Sequence, residues 1–250
     1  MWQANIFTSF PDAFPGSLGV SLIGKALKRN EWCLNIVDLK KFPAHNDRID
    51  SYPYGGGVGM LLSPLTFEMA FNSLNSSSEN ERIFSENEQK FKRTQKFKRI
   101  YFSPRGRQLN QKDLADISQS AGLTVLCGRY EGVDQRILDY YKFEEVSIGD
   151  FVLLGGEVAA MAIIEGCVRL LPGIVGDQQS VQNDSFQENL LEHDQYTKPF
   201  VFKNIAVPEI LLSGNHQKIR SFQNDLSKMI TMKKRPDLWA KYVQDNMKLI

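Results

Sequence analysis

Leu123-Thr124-Val125-Leu126-Cys127-Gly128-Arg129-Tyr130-Glu131-Gly132 runs from a short apolar stretch straight into a glycine-bounded turn, and a helical stretch, Gly132–Tyr141, follows. The apolar part, Leu123–Cys127, has the length and composition of a buried strand. The same order recurs on both sides of it. Upstream, Arg99–Phe102 leads into Ser103-Pro104-Arg105-Gly106 and then the helical stretch Asn110–Ala121, with Asn110 as N-cap and Asp113 in the first turn. Downstream, Glu145–Ile148 leads into Gly149-Asp150, with Gly155-Gly156 shortly after. The long apolar segment Glu157–Leu171, closed by Pro172-Gly173, then predicts a buried helix. Nearer the start, Trp2–Thr8 and Cys33–Leu39 read as strands around a helix over Leu18–Arg29, where Leu18, Leu22 and Ala26 fall at helical spacing. Strands alternating with helices predict an α/β fold with a mainly parallel sheet.

The bulk numbers agree with a globular protein of one large or two modest domains: 250 residues, 42% hydrophobic and 24% charged. No apolar run approaches the roughly eighteen residues a membrane span needs, and the opening Met1–Phe14 has neither a basic flank nor an apolar core of the signal-peptide kind. Cys33, Cys127 and Cys167 are odd in number and far apart, which suits neither a disulfide framework nor a zinc knuckle and points to a reducing cytoplasm. The histidines, His45, His193 and His216, have no metal-ligand spacing.

The net charge of +1 rules out a global positive field as an argument for nucleic acid. Its distribution says more. Residues 189–250 hold ten Lys or Arg against six Asp or Glu, whereas residues 1–188 are net acidic. The C-terminal part is therefore the better partner for phosphates, although lysine-rich surfaces are commonly just solvated. The chain divides accordingly into an α/β domain over 1–175, a polar linker over 176–189 and a helical domain over 190–250. Helices are expected there at Asn215–Met232 and Leu238–Met247, with Pro236 at the break. Asn75–Lys98, ending in six basic residues between Lys90 and Arg99, reads as a mobile surface insertion.

Ligands of open α/β sheets sit at the carboxyl ends of strands, where glycine turns let backbone N–H groups approach them. Each of the three turns is a weak signal alone. Together they suggest a cofactor cradle, without saying for which cofactor. Gly19–Ala26 nearly matches a phosphate-binding P-loop, but Ala26 stands where a metal-binding hydroxyl is required, and an amphipathic helix explains it better. Tyr54-Gly55-Gly56-Gly57-Val58-Gly59-Met60 reads as a close-approach loop of unspecified purpose. Asp184 sits beside Ser185 and Glu188, whose spacing fits a capping box. Arg169, between Val168 and Leu170, must reach an edge or find a partner. Glu131 and Asp150 read equally well as loop carboxylates, and His216 as a helix-start residue.

Taken in order, these segments resemble the TrmD-type tRNA (guanine-N1)-methyltransferases of the SPOUT superfamily. The resemblance runs nearly end to end, through Phe10-Pro11-Asp12-Ala13-Phe14, Pro53–Met60, Tyr101–Gly106, Leu126–Asp134, Ser147–Leu153, Gly155-Gly156-Glu157, Asp184-Ser185-Phe186, Tyr196-Thr197 and Leu211–His216. It implies a deep trefoil knot in the C-terminal part of the α/β domain, a rare exception to unknotted topology. It also implies that S-adenosylmethionine binds there against Tyr101, Phe102, Ser103 and Pro104, then Gly128, Tyr130 and Glu131. Ile148, Gly149, Asp150, Phe151, Val152, Leu153, Gly155 and Gly156 complete that set.

The resemblance further implies a reaction: transfer of the methyl group to N1 of the guanosine 3′ of the anticodon. Asp184 is the expected general base, and Arg169 stabilises charge on O6. Ser185 and Glu192 are expected at the target guanine, Glu192 standing where the family has an aspartate. Lys218, Arg220, Lys233, Lys234 and Arg235 are expected at the anticodon arm of tRNA. Magnesium is implicated, with Glu131 as participant, and a homodimer is implied in which each active site joins the knot of one chain to the linker of the other. The rival readings are a knotted RNA methyltransferase acting on another nucleotide, a non-enzymatic RNA-binding protein of the same fold, and an NTPase resting only on Gly19–Ala26.

Overall fold

The computed structural model describes residues 1–44, 46–79, 97–129, 131–176 and 184–247. The chain forms two compact units, Met1–Gly176 and Asp177–Ile250.

The first unit is built on a five-stranded sheet, with a separate antiparallel pair of two-residue strands, β3 (Asp50–Ser51) and β4 (Leu61–Leu62). Strand β1 (Trp2–Thr8) lies between β2 (Trp32–Asp38) and β6 (Gly122–Leu126), and β5 (Lys98–Gln108) continues the order to β7 (Glu144–Ser147). All four pairings are parallel. Parallel strands covered on both faces read as continuous apolar runs, and β6 is buried at every residue. On one face Trp2, Ala4, Ile6, Ile100, Leu123 and Val125 pack with residues of α1 (Ser21–Lys28), α3 (Gln111–Ser118) and α5 (Glu157–Arg169). On the other, Phe7, Tyr101 and Leu126 pack with α2 (Pro64–Glu79) and α4 (Gln135–Tyr141). Phe67 of α2 lies 5.0 Å from the Phe7 ring and 4.9 Å from the Tyr141 ring, in tilted and edge-on contacts that add to the burial.

Several expectations are corrected. The helix predicted over Leu18–Arg29 is two pieces: a 3₁₀ turn over Gly16–Gly19, then α1 from Ser21, which has φ +54. Leu22 is therefore turned outward, 51% exposed, while Gly24 and Ala26 make the buried face. Ser103–Gly106 is no turn after a strand but an excursion within β5: Phe102 and Arg107 both pair with Val146. Helix α4 starts at Gln135, capped by Asp134, rather than at Gly132. Helix α2 has no counterpart in the expectations, although Pro64 at its first position was a legible start. It takes in the first residues of the Asn75–Lys98 segment, and the basic part at 90–96 lies outside the described residues. A capping box at Asn110 is present: its side chain accepts from the Lys112 and Asp113 N–H groups, and Asp113 accepts from the Asn110 N–H at 2.9 Å.

The second unit carries α6 (His216–Lys234) and α7 (Pro236–Met247), with Asn215 capping α6. Where a helical domain was expected over 190–250, residues 190–214 hold no α-helix, only a 3₁₀ turn over Glu209–Leu212. They include a two-residue hairpin, β8 (Val201–Phe202) with β9 (Ile205–Ala206), turned by left-handed Lys203 and Asn204. The buried Thr231 hydroxyl ties this stretch to α6 by accepting the Leu191 N–H at 2.8 Å while donating to the Ser227 carbonyl. Among the described residues no helix is long and apolar enough to cross a membrane.

Candidate active site

The excursion within β5 and the carboxyl ends of β6 and β7 open into a cleft of about 600 Å³. Tyr101, Phe102, Ser103 and Pro104 line it from β5, Gly128 and Glu131 from the turn after β6, and Ile148, Gly149, Phe151, Val152, Leu153, Gly155 and Gly156 from the segment after β7. The fold thus brings most of the expected cradle residues together. Asp150 is exposed and is not among the lining residues, although both its neighbours are. Tyr130 lies outside the described residues.

The floor of the cleft is a close meeting of two turns. The Gly156 N–H donates to the Gly128 carbonyl at 3.2 Å, and Arg129 bridges Gly155 in antiparallel fashion. A side chain at Gly128 would put its Cβ 2.7 Å from the Tyr101 hydroxyl, and one at Gly155 would lie 2.4 Å from Nε of Arg129. Both contacts are closer than real Cβ atoms tolerate, so these turns need glycine for approach, not only for turning. Burial, then the nearby charge of Glu145, raises the Tyr101 phenol, which stays a neutral hydroxyl. Beneath the floor, burial first and the Glu157 charge second push the Cys127 thiol well above the ordinary value, so it is an inert filler and not a nucleophile.

The Pro53–Met60 loop, whose purpose the sequence leaves open, is stitched to the second turn. The Glu131 N–H donates to the Met60 carbonyl at 3.2 Å, the Leu62 N–H to the Gly132 carbonyl at 3.1 Å and the Asp134 N–H to the Leu62 carbonyl at 3.3 Å. Glu131 itself is exposed at the cleft. Among the described residues no group of three or more His, Cys, Asp or Glu could hold a metal ion.

Sequence reasoning passed over two arginines here. Arg105 lines the cleft and reaches both Gln135 and Glu145, its Nη2 standing 3.0 Å from the Glu145 carboxylate. Arg129 also lines it, and its guanidinium pairs with Glu157 at 2.9 Å and covers the Phe10 ring at 4.2 Å. Both sit inside glycine-bearing turns, and side-chain partnership across more than twenty residues has no local signal.

Arg169 is the last residue of α5 and half-buried. The other expected groups lie in the second unit. Asp184 and Ser185 are half-buried, at the start of a segment that turns through left-handed Phe186, Glu188 and Asn189. Glu188, at φ +49, breaks the 3₁₀ turn over Gln187–Asn189, so Ser185 and Glu188 form no capping box. Instead the Ser185 hydroxyl accepts the Glu192 N–H at 3.0 Å, and the Glu192 carboxylate accepts from Gln195 at 2.7 Å. Ser185 and Glu192, seven positions apart, are brought side by side. Lys218 and Arg220 are exposed on the first turns of α6. Arg235 is drawn into a two-pronged pair with Asp237, at 2.8 and 2.6 Å, which holds the Asp237 carboxyl down at about 2.

The profile of the tRNA (Guanine-1)-methyltransferase TrmD family matches residues 2–241. A protein of Ruegeria sp. (strain TM1040) named tRNA (guanine-N(1)-)-methyltransferase is 44% identical over 244 residues, covering 97% of this chain and 93% of its own. Its namesake from Pelagibacter ubique (strain HTCC1062) is 43% identical over 244 residues, covering 97% and 99%. That from Ehrlichia canis (strain Jake) is 43% identical over 238 residues, covering 94% of each.

Proposed function

The chain belongs to the tRNA (guanine-1)-methyltransferase TrmD family, and from that membership we propose that it transfers a methyl group from S-adenosylmethionine to N1 of the guanosine 3′ of the anticodon in tRNA. The observation that carries the reading is the convergence of the β5 excursion and the turns after β6 and β7, three neighbouring parallel strands, on one cleft of about 600 Å³. That volume suits a nucleoside-sized ligand, and the Gly128 and Gly155 positions leave backbone where a side chain would otherwise stand. Ser103, Gly128, Gly149 and Gly156 would hold the cofactor's polar edges, with Phe102, Phe151 and Leu153 along its apolar parts. When bound, S-adenosylmethionine supplies a methyl group already activated on a sulfonium, so the protein's share is alignment and proton removal.

Guanine N1 carries a proton in its lactam form and is a poor nucleophile until that proton leaves. Asp184 takes it, N1 then accepts the methyl group, and the negative charge that spreads toward O6 meets the guanidinium of Arg169. Ser185 and Glu192, already adjacent, flank Asp184 as contacts to the target guanine. Glu131 offers a single carboxylate at the cleft, without a group of three or more His, Cys, Asp or Glu around it among the described residues, so any magnesium ion there would keep most of its water ligands.

The same membership supports a trefoil knot in the α/β domain and a cytoplasmic homodimer. Each site there combines the cleft of one chain with the Asp184 segment of the other. Lys218 and Arg220 on the first turns of α6 add their charge to the positive end of that helix, a combination suited to the phosphates of the anticodon arm. Arg235, engaged by Asp237, contributes to that field in proportion to how far the pair opens. The test is methyl transfer from labelled S-adenosylmethionine to two tRNA transcripts, with guanosine or adenosine 3′ of the anticodon, followed by nucleoside analysis. 1-Methylguanosine from the first transcript alone is the expected result. A methyl group on another nucleotide would move the chain to a different substrate.

A further inference from the structure

Four side chains close a ring beneath the floor of the cleft. Thr8, the last residue of β1 and fully buried, donates its hydroxyl to Oε1 of Glu157 at 2.8 Å. Glu157, the first residue of α5 and only 3% exposed, accepts from Arg129 Nε at Oε1, 3.2 Å, while its buried Oε2 lies 2.9 Å from Nη2 as an ion-pair contact without hydrogen-bond geometry. Arg129 lies over the Phe10 ring, and the Phe10 N–H returns to the Thr8 hydroxyl at 2.9 Å. The ring joins three elements far apart in sequence: the end of β1, the turn after β6, and the start of the helix that follows the third turn.

A carboxylate this deeply buried is expensive, and such pairs often stabilise no more than an apolar replacement would. Placement gives it another use. Arg129 lines the cleft, while Glu157 and Thr8 are not among the lining residues and lie one layer below. The Arg129–Glu157 pair fills the space where a Gly155 side chain would be, so it fixes the spacing between the Gly128 turn and the Gly155-Gly156 turn. We infer that Glu157, held by Thr8, is a positioning residue that sets the shape of the cofactor floor through Arg129. The inference rests on the reading of this cleft as the S-adenosylmethionine site.

Three substitutions test it without altering a lining residue. Glu157→Gln keeps the volume but removes the charge that orients Arg129. Thr8→Val removes the hydroxyl and leaves the ion pair, and Thr8→Ser restores the hydroxyl. Calorimetric binding of S-adenosylmethionine to the full chain is the primary readout, with KM and kcat for methyl transfer beside it. Because misplacement of a binding group by a fraction of an ångström already costs heavily, Glu157→Gln should weaken binding roughly tenfold or more. Thr8→Val should weaken it less, and Thr8→Ser should bind nearly as wild type does. The loss should fall on KM for S-adenosylmethionine and not on KM for tRNA. Binding within twofold of wild type in Thr8→Val and in folded Glu157→Gln would overturn the inference, leaving the ring a purely structural feature visible only in Tm. If Glu157→Gln does not fold, the Thr8 pair decides alone. A wild-type chain that binds no S-adenosylmethionine would instead overturn the proposed function, and this inference with it.

Discussion

At the cleft, two turns and one excursion belong to parallel strands whose register is set by their neighbours, and the buried ring of Thr8, Glu157, Arg129 and Phe10 ties the two turns together from below. The Asp184–Pro199 segment of the second unit is built differently. It turns through three left-handed residues, is exposed along most of its length, and is held within its unit by single hydrogen bonds such as Leu191 to Thr231 and Asn189 to Asp245. The first region is positioned by the packing of a whole domain, so its shape exists before any ligand arrives. The second stands at the low-stability end, where a segment can order upon its substrate. Cofactor binding and catalysis should therefore separate cleanly under mutation.

The largest effect should come from Asp184→Asn. Loss of a general base costs typically 10²–10⁴-fold, so methyl transfer should fall by at least about a hundredfold. The S-adenosylmethionine affinity should stay within twofold of wild type. Single-turnover transfer together with calorimetry measures both. Near-normal turnover would leave Asp184 a neighbour of Ser185 with no part in the chemistry. Next is Arg169→Ala, expected to reduce kcat by about 10²-fold as a lost charge stabiliser does. A variant that loses only Tm, with kcat intact, would make Arg169 part of the end of α5 and nothing more. Third, Gly128→Ala should act on the opposite side of the division. Its Cβ would meet the Tyr101 hydroxyl at 2.7 Å, within a buried aromatic that has little room to retreat. Cofactor affinity should drop by roughly tenfold or more, in line with the 1–3 kcal/mol cost of overpacking. Binding of tRNA alone, followed by filter retention, should be unchanged.

How much of this was legible in the sequence follows the same division. Four of the five sheet strands were placed to within a residue, because apolar runs between glycine turns carry a local signal, whereas β5 runs six residues past the expected end at Phe102 and the short pair at Asp50–Ser51 and Leu61–Leu62 was missed. Asn110 announced its cap. The convergence of the turns after β6 and β7 was also legible, since strand ends in a parallel sheet face one way. What escaped depends on contacts distant in sequence. Arg129 and Glu157 are 28 residues apart, and Thr8 and Glu157 149 apart, so no window reveals the ring. The bulge at Ser103–Gly106 arises from the pairing of β5 with β7, and the outward Leu22 from a φ +54 residue that no periodicity detects. In the second unit the S-x-x-E pattern at Ser185 gave a false cap. A capping box requires helical backbone after the cap, and Glu188 does not adopt it.

The smallest expected effect probes how much of the first unit's rigidity is local. Asp113 is partly buried, which by itself would raise its carboxyl, but the Arg107 guanidinium at 2.7 Å and the Asn110 N–H outweigh that and hold it below the ordinary 3.8. A carboxyl lowered in the folded state contributes stability that is complete above the unfolded value and disappears as pH falls through the folded one. Asp113→Asn should thus cost about 1 kcal/mol at neutral pH, the usual size of a helix-cap loss, and lower Tm by roughly 2–4 °C. The difference from wild type should narrow only below pH 3.8 and close at lower pH, where Asp113 itself is protonated. Calorimetric scans at pH 7, 4 and 2.5 measure it. A gap that persists undiminished in acid would assign the loss to the shape of the amide and not to charge. Turnover and cofactor affinity at neutral pH should not change, because Asp113 caps α3 away from the lining residues; a change in either would mean that the cleft feels the end of β5 through Arg107, and that its rigidity is less complete than the contrast with the Asp184 segment implies.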